Sequence, residues 1–256
     1  MIEIAIKAAK AAGDVLMSHF GKLKNIRYKS SFVDLVTDAD IEAEKMIIEI
    51  ISSKFPEHSI LSEESGQNGV ESTSCWIIDP LDGTTNFTHC VPFFGISIAY
   101  TENRDTLLGV VYDPYHDELF SGTRGKGAFL NDSLIAVSTV PSVKESLLAT
   151  GFPNEVCQNP DPYLGTFREF LCSAQGVRRP GSAALDLAYV AWGRFDGFWE
   201  EGLKPWDTAA GCLLVQEAGG RVTNYDGEHW NPFSPHVVAS NGFVHSEMCD
   251  IINKRR

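Results

Sequence analysis

The stretch from Val91 to Phe129 constrains the fold of this chain most. It holds three strand-like runs, Phe94–Thr101, Leu107–Tyr112 and Glu118–Thr123, and short polar segments separate them. Apolar and β-branched runs of this length, bounded by Asn, Asp, Pro and Gly, are typical of consecutive strands. We therefore predict an antiparallel meander, whose apolar surface other elements must cover.

Two predicted helices precede this meander. In the first twenty residues an apolar side chain recurs at alternating steps of four and three, which predicts one buried helix face. A second helix is predicted from Asp38 to Phe55, because Thr37 and Asp40 form a variant capping box at its start and Pro56 follows its end. The N-terminal half thus has an α+β pattern.

The second half of the chain alternates strands and helices. Because no repeat, linker or low-complexity segment divides the sequence, we predict a single domain over residues 1–256. Its class is a layered α+β and α/β fold, with a soft midline near Pro141. The predicted elements after this midline are strands at Ser146–Thr150, Phe195–Trp199, Arg221–Asn224 and His236–Ser240, and helices at Pro162–Ser173, Ser182–Trp192, Asp207–Ala218 and the C-terminus.

Composition excludes some classes of function. The chain carries 34 acidic and 21 basic residues, a net charge of -13, and such a surface repels nucleic-acid phosphates. No apolar run approaches the roughly 20 residues of a membrane helix, and charges interrupt the N-terminal segment, so we expect neither a membrane partner nor a signal peptide. Six cysteines without a C-x-x-C pair fit free thiols in the cytoplasm. The acidity itself serves either solubility or cation binding.

The segment Asp79–Asn86 is the strongest candidate for a functional site. It follows the apolar run Trp76–Ile78, so a strand delivers Asp79 and a tight turn presents Asp82. Backbone N–H groups at the start of the next helix can bind a phosphate oxygen, beside carboxylates that hold a divalent cation. Taken alone, the segment fits equally well an ordinary strand–turn–helix junction with Asp82 as the N-cap.

Three further acidic groups change this balance. They are Asp34, the pair Glu63–Glu64, and Asp207. Taken singly, Glu63–Glu64 fits a solvated loop and Asp207 fits a helix N-cap, whereas Asp34 lies in an apolar segment where a buried acid needs a partner. Together with Asp79 and Asp82 they suit Mg²⁺, which prefers oxygen ligands and keeps several waters. Two or three such ions clamp a phosphate ester and activate a water.

Four segments of the chain resemble the signature segments of the inositol monophosphatase family, which are Mg²⁺-dependent, lithium-sensitive phosphatases. The segments are Asp34–Asp40, Ser62–Ser65, Trp76–Phe87 and Trp206–Gly211, and they occur in the family's order. The resemblance extends over essentially the whole chain. It implies an αβαβα sandwich and a homodimer.

The same resemblance implies a set of metal ligands. Glu63, Asp79 and the backbone carbonyl of Leu81 would hold the first ion. Asp79, Asp82 and Asp207 would hold the second, and Glu63 with waters would hold a weaker third.

The resemblance also implies roles in catalysis and in substrate binding. Asp34 and Thr84 would pair near the attacking water, and Glu64 would lie beside the ligands without binding an ion itself. The amides of Gly83 and Thr84 would bind the phosphate. The substrate's polyol would contact Asp82, Ala183, Glu200 and Asp207.

From these observations we predict a Mg²⁺-dependent phosphomonoesterase that hydrolyses inositol monophosphate or a related small sugar phosphate. Its partners would be a small phosphorylated polyol and a second copy of the chain. One alternative is a fructose-1,6-bisphosphatase or a broad sugar or nucleotide phosphatase of the same family. An alternative of another class is a non-catalytic metal-binding interaction module.

Overall fold

Two β-sheets with a pair of helices between them form the frame of the protein in the computed structural model, which describes residues 1–22, 26–28, 35–68 and 72–254. The helices in these ranges are α1 (Ile2–His19), α2 (Asp38–Ser52), α3 (Thr84–Thr88), α4 (Asp161–Ser173), α5 (Ala183–Ala191), α6 (Pro205–Glu217) and α7 (His245–Asn253). The strands are β1 (Ile26–Tyr28), β2 (Leu35–Thr37), β3 (Ser59–Ser62), β4 (Gly66–Asn68), β5 (Ser74–Asp82), β6 (Gly95–Glu102), β7 (Asp105–Asp113), β8 (Glu118–Thr123), β9 (Ala128–Leu130), β10 (Ser133–Ile135), β11 (Leu147–Thr150), β12 (Gly176–Arg178), β13 (Gly197–Glu201), β14 (Arg221–Thr223) and β15 (His236–Ser240).

The larger sheet has eight strands in the order β10-β9-β8-β7-β6-β5-β3-β4. All neighbouring pairs are antiparallel except β3 and β5, which are parallel. Strands β6, β7 and β8 are the predicted meander. Asn103 and Arg104 connect β6 to β7 with φ angles of 52° and 70°, the left-handed backbone that a tight hairpin turn requires.

The smaller sheet has five strands in the order β12-β11-β13-β15-β14. Strand β11 is parallel to both of its neighbours, whereas β15 is antiparallel to both of its neighbours. Helices α5 and α6 lie between the two sheets and pack closely on each other. A Cβ atom at Gly211 would lie 2.6 Å from the Leu187 side chain, so only glycine permits this approach.

Five layers result from this arrangement. Helices α1 and α2 cover the outer face of the eight-stranded sheet, and α4 and α7 cover the outer face of the five-stranded sheet. The three buried apolar clusters follow the layers: one lies under α1 and α2, one surrounds α5 and α6, and one lies under α4 and α7. The predicted αβαβα sandwich is confirmed.

Helix α2 begins as the sequence predicted. The Thr37 hydroxyl accepts the N–H of Ala39 at 3.2 Å, and the Asp40 carboxylate accepts the N–H of Thr37 at 2.9 Å, so the capping box is formed. The helix ends at Ser52, three residues before the predicted end. Among the described residues, no helix is both long enough and apolar enough to cross a lipid bilayer.

Candidate active site

A cavity of about 390 Å³ opens where the ends of several strands meet the first turns of α3, α5 and α6. Most of the residues predicted to act in binding or catalysis line this cavity: Glu63, Asp79, Leu81, Asp82, Gly83, Thr84, Ala183, Glu200 and Asp207. Glu64 is not among the lining residues. The prediction for Asp34 falls outside the described residues.

Strand β5 supplies two of the acids through an irregularity in its pairing. Asp79 pairs with Ser97 and Asp82 pairs with Gly95, so three steps along β5 oppose two steps along β6. In a regular strand, side chains three residues apart face opposite sides of the sheet. The extra residue of this bulge lets both carboxylates face the cavity. The structure thus corrects the predicted tight turn, because Asp82 is the last residue of the strand.

Gly83 makes the step from β5 to α3. It has a φ of +93°, and a Cβ atom there would lie 3.1 Å from the Phe93 carbonyl oxygen, so the position favours glycine on both grounds. Gly83, and not Asp82, is the N-cap of α3. The first residue of this short helix, Thr84, donates its hydroxyl to the carbonyl oxygen of Leu81 at 3.1 Å.

The start of α5 holds Asp82 in place. One carboxylate oxygen of Asp82 accepts the Ser182 hydroxyl and the N–H of Ala184, each at 2.7 Å. The resemblance implied that Ala183, in the first turn of this helix, contacts the substrate, and these two bonds bring the start of α5 to the cavity. They fix the orientation of the carboxylate and leave its other oxygen for a ligand.

Asp207 reaches the cavity from the first turn of α6. Its carboxylate accepts the backbone N–H of Lys204 at 2.7 Å. Asp207 is the third residue of α6 and accepts the N–H of the N-cap residue Lys204, so it is not itself the N-cap that its ordinary explanation would require. The Ser97 hydroxyl donates to the carbonyl oxygen of Trp206 at 2.9 Å and ties this helix start to β6.

Burial and mutual repulsion perturb these carboxyl groups. Burial, followed by the charges of Glu63, Asp82 and Asp207, raises the pKa of Asp79 well above its usual range. Burial and the charge of Asp82 do the same to the pKa of Asp207. The pKa of Asp82 rises to about 6 through burial, against the bonds it accepts from α5. Buried acids that repel one another are a place for a cation.

The donor set fits a hard divalent cation such as Mg²⁺, because it consists of carboxylate and carbonyl oxygens. In the described part of the chain, no three acidic, histidine or cysteine side chains already stand at metal-ligand spacing. Mg²⁺ does not need such a cage, because it usually keeps several waters in its coordination shell.

Asp40 is a residue at the site that sequence analysis assigned only to helix capping. One of its oxygens lies 3.4 Å from the Thr84 hydroxyl, and the other accepts the bonds of the capping box. Burial raises its pKa to about 6, although the bonds from Thr37 oppose the shift. Among the described acids, Asp40 is thus the one in contact with Thr84. Its place in a segment of the family signature was the available signal.

A second group of ionisable residues also lines the cavity: Arg179, Asp186 and Glu200. Burial raises the pKa of Glu200 to about 8, and the nearby charge of Arg179 opposes this shift. Asp186 is 1% exposed, and one of its carboxylate oxygens has no hydrogen-bond partner among the described residues. A Cβ atom at Gly151 would lie 2.1 Å from a Glu200 carboxylate oxygen, so glycine makes room for this acid. Arg179 and Gly151 stand in no motif, so the sequence did not predict them at the site.

Comparisons with known proteins all point to one family, and they cover nearly the whole chain. A model of the inositol monophosphatase family matches residues 1–256. An inositol-1-monophosphatase of Synechocystis is 46% identical over 248 residues, which are 96% of this chain and 86% of the relative. The protein named Nus factor SuhB of Salmonella typhimurium is 44% identical over 243 residues, or 94% of this chain and 91% of the relative. The solved structure of inositol monophosphatase from Anabaena has a TM-score of 0.91 at 43% identity and covers 100% of this chain and 96% of its own.

Proposed function

Because the chain belongs to the inositol monophosphatase family, we propose that it is a Mg²⁺-dependent phosphomonoesterase acting on inositol monophosphate or a related small sugar phosphate. The observation that carries this proposal is the cavity in which Asp79, Asp82 and Asp207 repel one another beside the start of α3. A bound cation relieves this repulsion and turns an acidic cavity into one that attracts phosphate.

The proposed ligands are those that the family resemblance implies. Glu63, Asp79 and the Leu81 carbonyl would hold one ion, Asp79, Asp82 and Asp207 would hold a second, and Glu63 with waters would hold a weaker third. When bound, Mg²⁺ supplies a water of lowered pKa and neutralises charge on the leaving oxygen.

The chain's own groups orient the phosphate and take up the proton. The amides of Gly83 and Thr84 donate to phosphate oxygens, as N–H groups at a helix start do. The Thr84 hydroxyl contacts the Leu81 carbonyl and the Asp40 carboxylate, so it can accept a proton from the attacking water while it passes its own to Asp40. Asp34 remains a predicted partner of Thr84.

The leaving group contacts other lining residues. Glu200 and Ala183 face the polyol, and the metal ligands Asp82 and Asp207 lie beside it. Among the described residues that line the cavity, Arg179 and Lys204 are the cationic ones, and they suit an anionic ester. A cavity of about 390 Å³ fits a small sugar or cyclitol phosphate.

Phosphate release from inositol 1-phosphate, with and without Mg²⁺, tests the proposal. We expect release that requires Mg²⁺, and a rate that falls by orders of magnitude in Asp82→Asn but not in Asp250→Asn, an exposed control on α7. An unchanged rate in Asp82→Asn would refute the mechanism. Parallel assays with fructose 1,6-bisphosphate and a dinucleotide 2′-phosphate compare kcat/KM, and near-equal values would favour the broad sugar phosphatase. Added Li⁺ tests the inhibition that the family implies.

A second candidate function is a non-catalytic interaction module. It is favoured by the name of the Salmonella relative, Nus factor SuhB, which is not the name of an enzyme. Absence of phosphate release over the whole ester panel with Mg²⁺ would support it.

We also propose that the protein is a homodimer, as the family resemblance implies, and that it is cytoplasmic, as its six cysteines without a C-x-x-C pair indicate. Sedimentation equilibrium of the purified chain measures its oligomeric state. A monomer at micromolar concentration would contradict the proposal.

A further inference from the structure

Glu44 is a buried acid on α2 that the chemistry above does not use. It is 6% exposed. One of its carboxylate oxygens accepts two backbone N–H groups, from Glu64 at 3.2 Å and from Ser65 at 3.1 Å. Both donors belong to the turn that connects β3 to β4. A side chain on α2 is thus bonded directly to this turn.

The turn carries Glu63 into the cavity. The backbone N–H of Glu63 donates to the carbonyl oxygen of Ile78 at 3.2 Å, immediately before Asp79 on β5. The turn is therefore fixed on one side by β5 and on the other side by the Glu44 carboxylate. If Glu44 were lost, the N–H groups of Glu64 and Ser65 would lose the acceptor that holds them to α2. The bond from the Glu63 N–H to β5 would remain.

We propose that Glu44 is a positioning residue for cation binding: through its two bonds to the turn, it holds Glu63 at the distance from Asp79 that a shared ion requires. The inference rests on the proposed function, since it takes Glu63 as a metal ligand. Bonds from N–H groups to a carboxylate are about twice as strong as bonds between neutral groups, and they hold a loop in one geometry. Substitution of a residue that orients a metal ligand typically lowers metal affinity by about 10- to 100-fold.

A second anchored turn in the same molecule supplies a matched control. The Glu217 carboxylate accepts the N–H groups of Gly125, Lys126 and Gly127 at 2.8, 3.0 and 2.9 Å. This turn connects β8 to β9, and none of its residues lines the cavity. Replacing Glu217 removes the same kind of bond without touching the site.

The experiment measures Mg²⁺ binding to the metal-free protein by isothermal titration calorimetry. The variants are Glu44→Met, which keeps the length of the side chain but not its acceptor, Glu44→Gln, which keeps one acceptor oxygen, and Glu217→Met. We expect Mg²⁺ affinity to fall about tenfold or more in Glu44→Met. We expect Glu44→Gln to restore most of this loss and Glu217→Met to stay within about twofold of the unmodified protein. Amide hydrogen exchange at Glu64 and Ser65 should accelerate in Glu44→Met alone.

Equal Mg²⁺ affinity in Glu44→Met and the unmodified protein would overturn the inference, as would an equal loss in Glu217→Met. If Glu44→Met does not fold, Glu44→Ala, in which water can reach both N–H groups, carries the same comparison. Failure of the proposed function has a different signature. In that case the unmodified protein itself neither binds Mg²⁺ nor releases phosphate, and both proposals are overturned.

Discussion

The acid-lined cavity and a polar network at the start of β13 and the end of β15 both bury charged or polar side chains, but the two regions meet the hydrogen-bonding needs of these side chains differently. We define the polar network as Ser138, Asp196, Ser240, Asn241 and His245. In it, one oxygen of Asp196 accepts the Ser138 hydroxyl and the other accepts the N–H of Leu147 at 2.7 Å. Both oxygens of the carboxylate are thus hydrogen-bonded to donors of the chain itself.

The remaining members of the network are equally well partnered. The Asn241 amide donates to Ser138 and to the Val140 carbonyl at 3.0 and 2.9 Å. His245 contacts the hydroxyls of Ser240 and Thr223 at 2.9 and 2.8 Å. Fully bonded polar groups of this kind stabilise one structure. Buried acids that face one another, as in the cavity, instead mark a place for a ligand.

The largest expected difference between the two regions is in kcat/KM. Asp79→Asn removes one charge from the proposed metal ligands, and we expect kcat/KM for inositol 1-phosphate to fall by about 100- to 1000-fold, the usual size for one preorganised electrostatic group. The same exchange in the network, Asp196→Asn, should leave kcat/KM within about threefold at a temperature where the variant is folded. Steady-state phosphate release measures both. A comparable loss in the two variants would remove the distinction.

The two regions should also respond to pH with opposite signs. Burial, aided by the charge of Arg221, lowers the pKa of His245 from its ordinary 6.5 to about 4. Between pH 6.5 and 4 the unfolded chain binds a proton that the folded protein excludes, so stability falls as the pH falls. Burial raises the pKa of Glu200 from 4.5 to about 8. There the folded protein keeps a proton that the unfolded chain releases, so stability falls as the pH rises from 4.5 to 8.

Urea unfolding of the metal-free protein between pH 4 and 8.5 measures these slopes. In the unmodified protein the free energy of unfolding should fall between pH 6.5 and 4, and in His245→Gln this fall should be smaller by about 3 kcal/mol. In Glu200→Gln the fall between pH 4.5 and 8 should be smaller by a similar order. Parallel slopes in the unmodified protein and both variants would contradict the assignment.

A smaller effect concerns stability at neutral pH. Asp196→Asn replaces an accepting oxygen by an NH₂ group that faces a donor, and we expect the free energy of unfolding to fall by about 2 kcal/mol. Asp79→Asn should leave the stability of the metal-free protein unchanged or raise it, because one of the repelling charges is removed. Urea unfolding in a chelating buffer at pH 7.5 checks both. Destabilisation of similar size in Asp79→Asn would weaken the comparison.

The smallest expected effect lies at the edge of the cavity. In Gly151→Ala the new methyl group displaces the Glu200 carboxylate, and we expect KM for inositol 1-phosphate to rise about three- to tenfold with a smaller change in kcat. Gly165→Ala in α4 is the matched control, because no atom lies within 4 Å of the position of its Cβ. The control should keep its KM and gain up to about 1 kcal/mol of stability. An unchanged KM in Gly151→Ala would show that Glu200 does not contact the substrate.

Local patterns predicted much of the fold and part of the site. The meander, the capping box at Thr37 and the helices around the midline depend on residues that are close together in the sequence. Their positions could therefore be predicted from the sequence alone. The segment from Asp79 to Thr84 could be predicted for the same reason, because a strand, a glycine and the start of a helix follow one another there. The αβαβα order of layers came from the family resemblance, and the structure confirms it.

The remaining features depend on contacts between distant segments. The bulge that turns Asp79 and Asp82 to one side follows from the register of β5 against β6. The contact of Asp40 with Thr84 follows from the packing of β2, which leads into α2, against α3. The position of Arg179 in the cavity follows from the path of the chain before α5. The periodicity and spacing of residues do not predict contacts between distant segments, so these residues could be identified only once the fold was known.

The cavity draws its walls from residues as far apart as Glu63 and Asp207, more than half of the chain length. A chain made from its N-terminus emerges with β3, β5 and α3 long before α5, β13 and α6 are available. Until then the acids of β5 face solvent, and the inner face of the eight-stranded sheet has no cover. Cation binding is consequently one of the last properties that a newly made molecule acquires, and a truncated copy that lacks α6 is exposed to proteases and chaperones.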